Sequence, residues 1–223
     1  MRLLEKFLDI FYPKYCLLCL KSGRYICKKC IESLNYINGP CCPICSGVLR
    51  SKKHFIHNVC QRHSSLDGLF PLLKYDEKSK VILSEAKYKY TKEIIVEMAE
   101  MLKPLYANLP FKIDYTVPVP LSSERINYRG FNQSELLAKG ISWKYQNILT
   151  KEKNTIPQTK SNRSERLKKL ENAFVINRGF DLRNKNIVLI DDVVTTGSTL
   201  QECAKILKAS GASKVIAIVW AKD

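Results

Sequence analysis

The rhythm of apolar and polar positions changes near residue 65. Before it the chain is rich in Cys, Lys and turn residues, with little regular periodicity. After it the apolar positions recur at the spacings of strands and helices in turn. The pattern predicts a strand over 69–75 and helices over 78–86 and 92–103. The second helix carries Ile94, Ile95, Met98, Met101 and Leu102 on one face and should end at Pro104. A strand follows over 114–119. A helix opens after Asn132, a fitting N-cap, with Glu135 three residues on in the capping-box place. A short strand over 146–149 leads into 151–162, polar and aperiodic with Pro157, read as a long mobile loop, and then a helix over 163–172. The nearly continuous apolar run 186–191 reads as a central strand of a parallel sheet. A helix over 198–210, closed by Gly211, and a strand over 215–220 complete the chain. Strands alternating with helices predict an α/β domain with a parallel sheet over residues 66–223. Residues 1–65 form a small Cys-rich module ahead of it.

At the start of the chain, Leu3, Leu4, Phe7, Leu8, Ile10 and Phe11 recur at helical spacing, but Glu5 and Asp9 interrupt them and Pro13 stops the run. This is the pattern of an amphipathic helix packed on the protein body, with a membrane-surface helix as the alternative, and not of a secretory signal. No apolar run approaches the roughly 18 residues of a membrane span.

Charge sharpens the picture. The 223 residues carry 37 Lys or Arg and 21 Asp or Glu, a formal net charge of +16. The excess is densest in the first 65 residues. Such a balance suits a polyanionic partner, nucleic acid first and phosphorylated metabolites second. Hydrophobic residues make up 45% of the chain, enough for a substantial core.

The most informative segment is Val188-Leu189-Ile190-Asp191-Asp192-Val193-Val194-Thr195-Thr196-Gly197-Ser198-Thr199. An apolar strand ends in two adjacent carboxylates, a Thr-Thr-Gly turn follows, and a helix starts. A helix N-terminus offers unpaired amides and partial positive charge to a phosphate. Gly197 permits close backbone approach, and the hydroxyls of Thr195, Thr196, Ser198 and Thr199 add donors. Ionised carboxylates only accept hydrogen bonds, so Asp191 and Asp192 suit the hydroxyls of a sugar. A ribose 5-phosphate satisfies both halves. The plainer alternative is an acid pair that caps a strand and a helix. A second segment runs from Val117-Pro118-Val119-Pro120-Leu121 through Arg125 to Arg129-Gly130-Phe131-Asn132-Gln133. Its two arginines, expected on a loop, are forked donors for pyrophosphate oxygens; alternatively they are solvated surface charges.

Eight of nine cysteines lie between Cys16 and Cys60. Cys16-x-x-Cys19 and Cys27-x-x-Cys30 make two knuckles fit for a four-thiolate zinc site. A second set pairs Cys42-x-x-Cys45 with Cys60 and His63, with His57 an alternative fourth ligand at the same spacing from Cys60. One or two zinc ions are therefore expected. With four protein ligands each, they would be structural, stapling a module with few apolar residues. Cys203, alone on the last helix, reads as an inert core thiol.

Taken together, the long segments are similar to the ComF family of competence proteins, which have a type I phosphoribosyltransferase fold. The run from Asp191 to Thr199 resembles the fold's signature for phosphoribosyl pyrophosphate (PRPP), and Arg129-Gly130 resembles its pyrophosphate-loop dipeptide. The string PVPL…R…RGFNQ and the cysteine module resemble the ComF family in particular. So do Lys87-Tyr88 and the loop with Lys151, Lys153, Thr155, Gln158, Thr159 and Arg166. The chain departs from the family pattern at Tyr90, at Lys151 where Arg is expected, and at Lys168, Lys169 and Leu170, where an Asn is missing. The resemblance implies that Asp191 and Asp192 hold the ribose hydroxyls and that Thr195, Thr196, Gly197, Ser198 and Thr199 hold the 5-phosphate. It implies Mg²⁺ with PRPP and pyrophosphate contacts from Arg125, Arg129 and Gly130. It further implies a cytoplasmic role in DNA uptake, with single-stranded DNA, the uptake helicase and recombination proteins as partners. Tyr15, Arg24, Tyr25, Lys28 and Lys29 offer charge and ring faces for that strand. The alternative functions are an active phosphoribosyltransferase with an unidentified acceptor, or a non-catalytic PRPP sensor.

Overall fold

The computed structural model describes residues 13–50, 54–87, 92–152 and 173–223. The readings for the N-terminal amphipathic helix, most of the loop after Lys151 and the helix over 163–172 lie outside these residues. In chain order the described elements are α1 (Lys28–Glu32), a 3-10 turn (Asn58–His63), β1 (Gly68–Lys74), α2 (Glu77–Glu85), α3 (Lys92–Ala107) and β2 (Tyr115–Pro118). Then come α4 (Ser123–Arg129), α5 (Gln133–Ile141), β3 (Leu149–Lys151), β4 (Phe174–Ile176), β5 (Asn186–Val194), α6 (Ser198–Ala209) and β6 (Lys214–Lys222).

Four strands form a parallel sheet in the order β1-β6-β5-β2. The alternation of a strand sorts its side chains between two cores. Val188, Ile190, Ile216, Ile218 and Trp220 pack with α2, α3 and α5 on one face. Ile187, Leu189, Val215, Ala217 and Val219 pack with α6 on the other. Both faces are covered, which is why β5 and β6 read as unbroken apolar runs. On the first face α3 and α5 meet at very short range: a Cβ on Gly140 would lie 2.6 Å from that of Ala99.

Three local expectations are corrected. The helix over α3 does not stop at Pro104 but runs to Ala107. Proline costs it one amide bond, but the continuation is anchored, because the Tyr106 hydroxyl lies 2.9 Å from Thr116 Oγ1 and 3.0 Å from Ser142 Oγ. The segment with Arg125 and Arg129 is a short helix, α4, not a loop; Gly130, at φ 77°, terminates it. Asn132 does cap α5 through the Ser134 amide, but Glu135 does not close a capping box. Its carboxylate is taken by Lys139 Nζ at 2.7 Å and the Tyr145 hydroxyl at 3.0 Å. A capping box does form at α2, between Asp76 and Ser79. The C-terminus of α6 follows the expected form: the amides of Gly211 and Ala212 return to Lys208 O and Leu207 O.

The cysteine-rich segment is built onto the sheet. Residues 35–41 run antiparallel along β1, with Lys74 N donating to Asn35 O, Ile37 N to Leu72 O and Cys41 N to Leu69 O. The sheet edge is thereby covered. Ile26, Leu34 and Phe55 join the same core as α3 and β6. Glu97 of α3 accepts the amides of Tyr25 and Ile26 at 3.3 and 2.8 Å and pairs with Arg24 at 3.5 Å. Among the described residues no helix is long and apolar enough to cross a membrane.

Candidate functional site

A cavity of about 240 Å³ opens at the carboxyl ends of β5 and β2. It is lined by Lys87, Arg125, Arg129, Gln133, Ser134, Lys151, Asp191, Asp192 and Thr199, among others. This is where open α/β sheets place their ligands. A roomier groove between Ile31, Leu72, Met101 and Leu105 is mainly apolar and brings no such groups together.

Strand β5 runs three residues farther than the apolar run suggests, so Asp192 is a strand residue like Asp191. Asp191 Oδ1 accepts from Ser134 Oγ at 2.8 Å and from the Asp192 amide at 3.0 Å. Asp192 Oδ1 accepts from the Val193 amide at 2.7 Å. Burial in the cavity wall, reinforced by the charge of Asp192, pushes the Asp191 carboxyl up to about 8. Burial also raises Asp192, against the opposing pull of the Val193 amide, Lys87 and Arg129. The pair resists ionisation in the empty cavity, and a cation or donating sugar hydroxyls would favour its charged form.

Facing the acids are four cations. Lys151 ends β3 and so belongs to a strand, not to the mobile loop. Burial and the neighbouring Arg125 hold its ammonium below the ordinary lysine value. An anion in the cavity would relieve the crowding of these cations. Thr195 and Thr196 are exposed on the turn after β5. Gly197 takes φ 73° at the N-cap of α6, and among the described residues no side chain caps that helix. Among the described residues, the Ser198 amide makes one distant contact, 3.5 Å to Thr196 Oγ1. The anion-binding end expected there is open. Of the run, Asp191, Asp192, Val193 and Thr199 line the cavity, whereas Thr195, Thr196, Gly197 and Ser198 lie outside its lining, as does Val194. The Val194 side chain is buried in the core and its carbonyl accepts the Asp223 amide, so it does not face the cavity. Lys153, Thr155, Gln158 and Thr159 lie outside the described residues.

Two residues in the cavity escaped sequence reasoning, Gln133 and Ser134. Their signal was present: Asn132-Gln133-Ser134 is a polar run at the start of a helix, yet all three are buried.

The cysteines form two groups whose ligand atoms all lie within 4.8 Å of one another: Cys16, Cys19, Cys27 and Cys30, and Cys42, Cys45, His57 and Cys60. The first expectation is met in full. In the second, His57 replaces His63, which is exposed at the far end of the 3-10 turn. His57 enters that turn with its Nδ1 3.2 Å from Cys45 Sγ, and Gly47 leaves room for the ring, since a Cβ there would lie 3.1 Å from it. The donor sets fit zinc. Cys19 and Cys27 sulfurs are 3.6 Å apart, close to the roughly 3.8 Å edge of a tetrahedron with Zn–S of about 2.3 Å. The Cys16–Cys19 and Cys42–Cys45 segments repeat one backbone form, with Leu20 and Ser46, each just after the second cysteine, at φ 60° and 64°. Of the residues expected to meet nucleic acid, Lys28 and Lys29 are exposed, Arg24 is tied to Glu97, and Tyr25 packs against the core, leaving Tyr15 as the open ring.

Fold, cavity and knuckles define the class: a phosphoribosyltransferase-type α/β protein with a double zinc ribbon docked on its sheet edge. The comparisons agree. Residues 88–223 match the phosphoribosyl transferase domain family, and residues 7–63 match the double zinc ribbon domain. Competence protein ComFC of Bacillus subtilis (strain 168) is 31% identical over 206 residues, 87% of this chain and 82% of that protein. Competence protein F of Haemophilus influenzae is 29% identical, with 85% of each chain covered. DNA utilization protein YhgH of Escherichia coli (strain K12) is 29% identical over 91% of this chain and 94% of its own. The chain belongs to the ComF family of competence proteins, and its zinc is structural.

Proposed function

We propose that the protein acts in DNA uptake during natural transformation, in the cytoplasm, and binds PRPP with Mg²⁺ in the cavity and single-stranded DNA on its basic ribbon. The observation that carries the ligand assignment is the juxtaposition in one cavity of the partly buried acid pair Asp191 and Asp192, the cations Lys87, Arg125, Arg129 and Lys151, and Thr199 of the uncapped α6. Acids suit ribose hydroxyls, the helix end suits the 5-phosphate, and the cations suit pyrophosphate. Mg²⁺ would be held by few carboxylates plus ligand oxygens, and an acid pair that burial holds against ionisation fits such a cation.

The relatives' names, competence and DNA utilization, support the DNA role. Lys28, Lys29 and Tyr15 offer exposed charge and a stacking face for the strand, with the uptake helicase and recombination proteins as further partners. The test is titration with a single-stranded oligonucleotide at rising salt. Affinity should fall steeply with salt and drop further in Lys28→Ala with Lys29→Ala; a salt-independent or unchanged affinity refutes the ribbon as the interface. A second reading, transfer of ribose 5-phosphate from PRPP to an acceptor base, is favoured by the family match over residues 88–223. Pyrophosphate release across a panel of bases decides it. Silence with retained PRPP binding leaves the binding role alone.

A further inference from the structure

Gln133 is 3% exposed, lines the cavity, and its Nε2 has no hydrogen-bond partner among the described residues. Its neighbours are satisfied. Asn132 donates to Val119 O at 2.9 Å and accepts the Ser134 amide at 3.0 Å, and Ser134 donates to Asp191. Buried polar groups are rarely left unpaired, so a half-paired amide in a cavity wall marks a missing partner. Trp220 Nε1 is also unpartnered, but it sits in the apolar core and no ligand could reach it.

The amide's orientation is fixed by chemistry. Arg129 Nη1 lies 3.0 Å from the Gln133 side chain. A guanidinium can only donate, so the atom facing it must be the carbonyl oxygen. The usual ambiguity between amide oxygen and nitrogen is thus removed, and a donor is what remains for the cavity. It is neutral, buried and adjacent to the guanidinium expected to meet the pyrophosphate.

We propose that Gln133 is a specificity-determining residue whose amide donates directly to an oxygen of the ligand's pyrophosphoryl arm, beside Arg129. The inference rests on the PRPP reading of this cavity. It adds to the arginines a donor that carries no charge and therefore discriminates by position: a ligand lacking the arm gains nothing from it.

The test is calorimetric titration of the full-length, zinc-loaded chain with PRPP and, separately, ribose 5-phosphate, both with Mg²⁺. Gln133→Met preserves shape and removes the donor. It should weaken PRPP at least about tenfold while ribose 5-phosphate stays within about twofold, which also shows that the variant is folded. In an Arg129→Ala background Gln133→Met should again cost PRPP about tenfold. If the second loss vanishes there, Gln133 only holds Arg129 and the proposal fails. It fails equally if both ligands weaken alike, or if neither changes. If the unaltered protein binds neither ligand, the underlying PRPP reading fails and takes this inference with it.

Discussion

Replacing Asp191 by Asn should make the ligand-free protein more stable, and the gain should depend on pH. In the folded state the Asp191 carboxyl keeps its proton up to about pH 8, against an ordinary value of 3.8. Between these values the unfolded chain has released a proton that the folded chain still binds. Stability therefore falls as pH rises through this window, and the penalty is absent below it. At about 1.4 kcal/mol per pH unit the ceiling is about 6 kcal/mol. Asp192 shares the same field, and the asparagine oxygen can still accept from Ser134, so a gain of about 2 kcal/mol at pH 8 is expected. For a chain of this size that raises the melting temperature by about 4–8 °C. Thermal unfolding of both proteins at pH 8 and pH 4.5, with zinc present, measures it. Most of the gain should be gone at pH 4.5. An equal gain at both values, or none at pH 8, refutes the idea that burial of this acid costs the fold stability.

Other outcomes follow from the same geometry. His57→Ala should lower bound zinc from two ions per chain to one by mass spectrometry or metal assay, and His63→Ala should leave two. Glu97→Ala strips two ribbon amides of their acceptor and should destabilise the fold by about 1–3 kcal/mol in urea denaturation; a neutral result would mean that the ribbon is held by apolar contact alone. Gly140→Ala places a methyl 2.6 Å from Ala99 and should cost about 1–3 kcal/mol by the same assay, whereas Gly23→Ala meets no neighbouring atom and is strained only by its φ of 117°.

Much of this molecule was legible in its residues because local chemistry and tertiary need agree there. The apolar runs of β5 and β6 are continuous because both sheet faces are covered, and the Thr-Thr-Gly turn sits where the strand yields to an uncapped helix. The misreadings have the opposite origin. Pro104 is a valid local stop, overridden by Tyr106 docking on Thr116 and Ser142. Glu135 has the right spacing for a capping box, but Lys139 and Tyr145 compete for it from outside the turn. His57 and His63 are equidistant from Cys60 in sequence, and only the path of the chain past Gly47 separates them. Gln133 and Ser134 were hidden because a polar run at a helix start ordinarily faces water; burial, a three-dimensional property, made them part of the cavity.

The central claim is that the acid pair and the open end of α6 bind the two halves of a phosphorylated ribose. Calorimetry with PRPP and Mg²⁺ tests it most directly, comparing the unaltered chain with Asp191→Asn/Asp192→Asn at equal zinc content. Saturable binding at one site per chain, weakened at least about a hundredfold in the variant, is the result expected. Equal binding by the two proteins, or none by the unaltered chain, contradicts it.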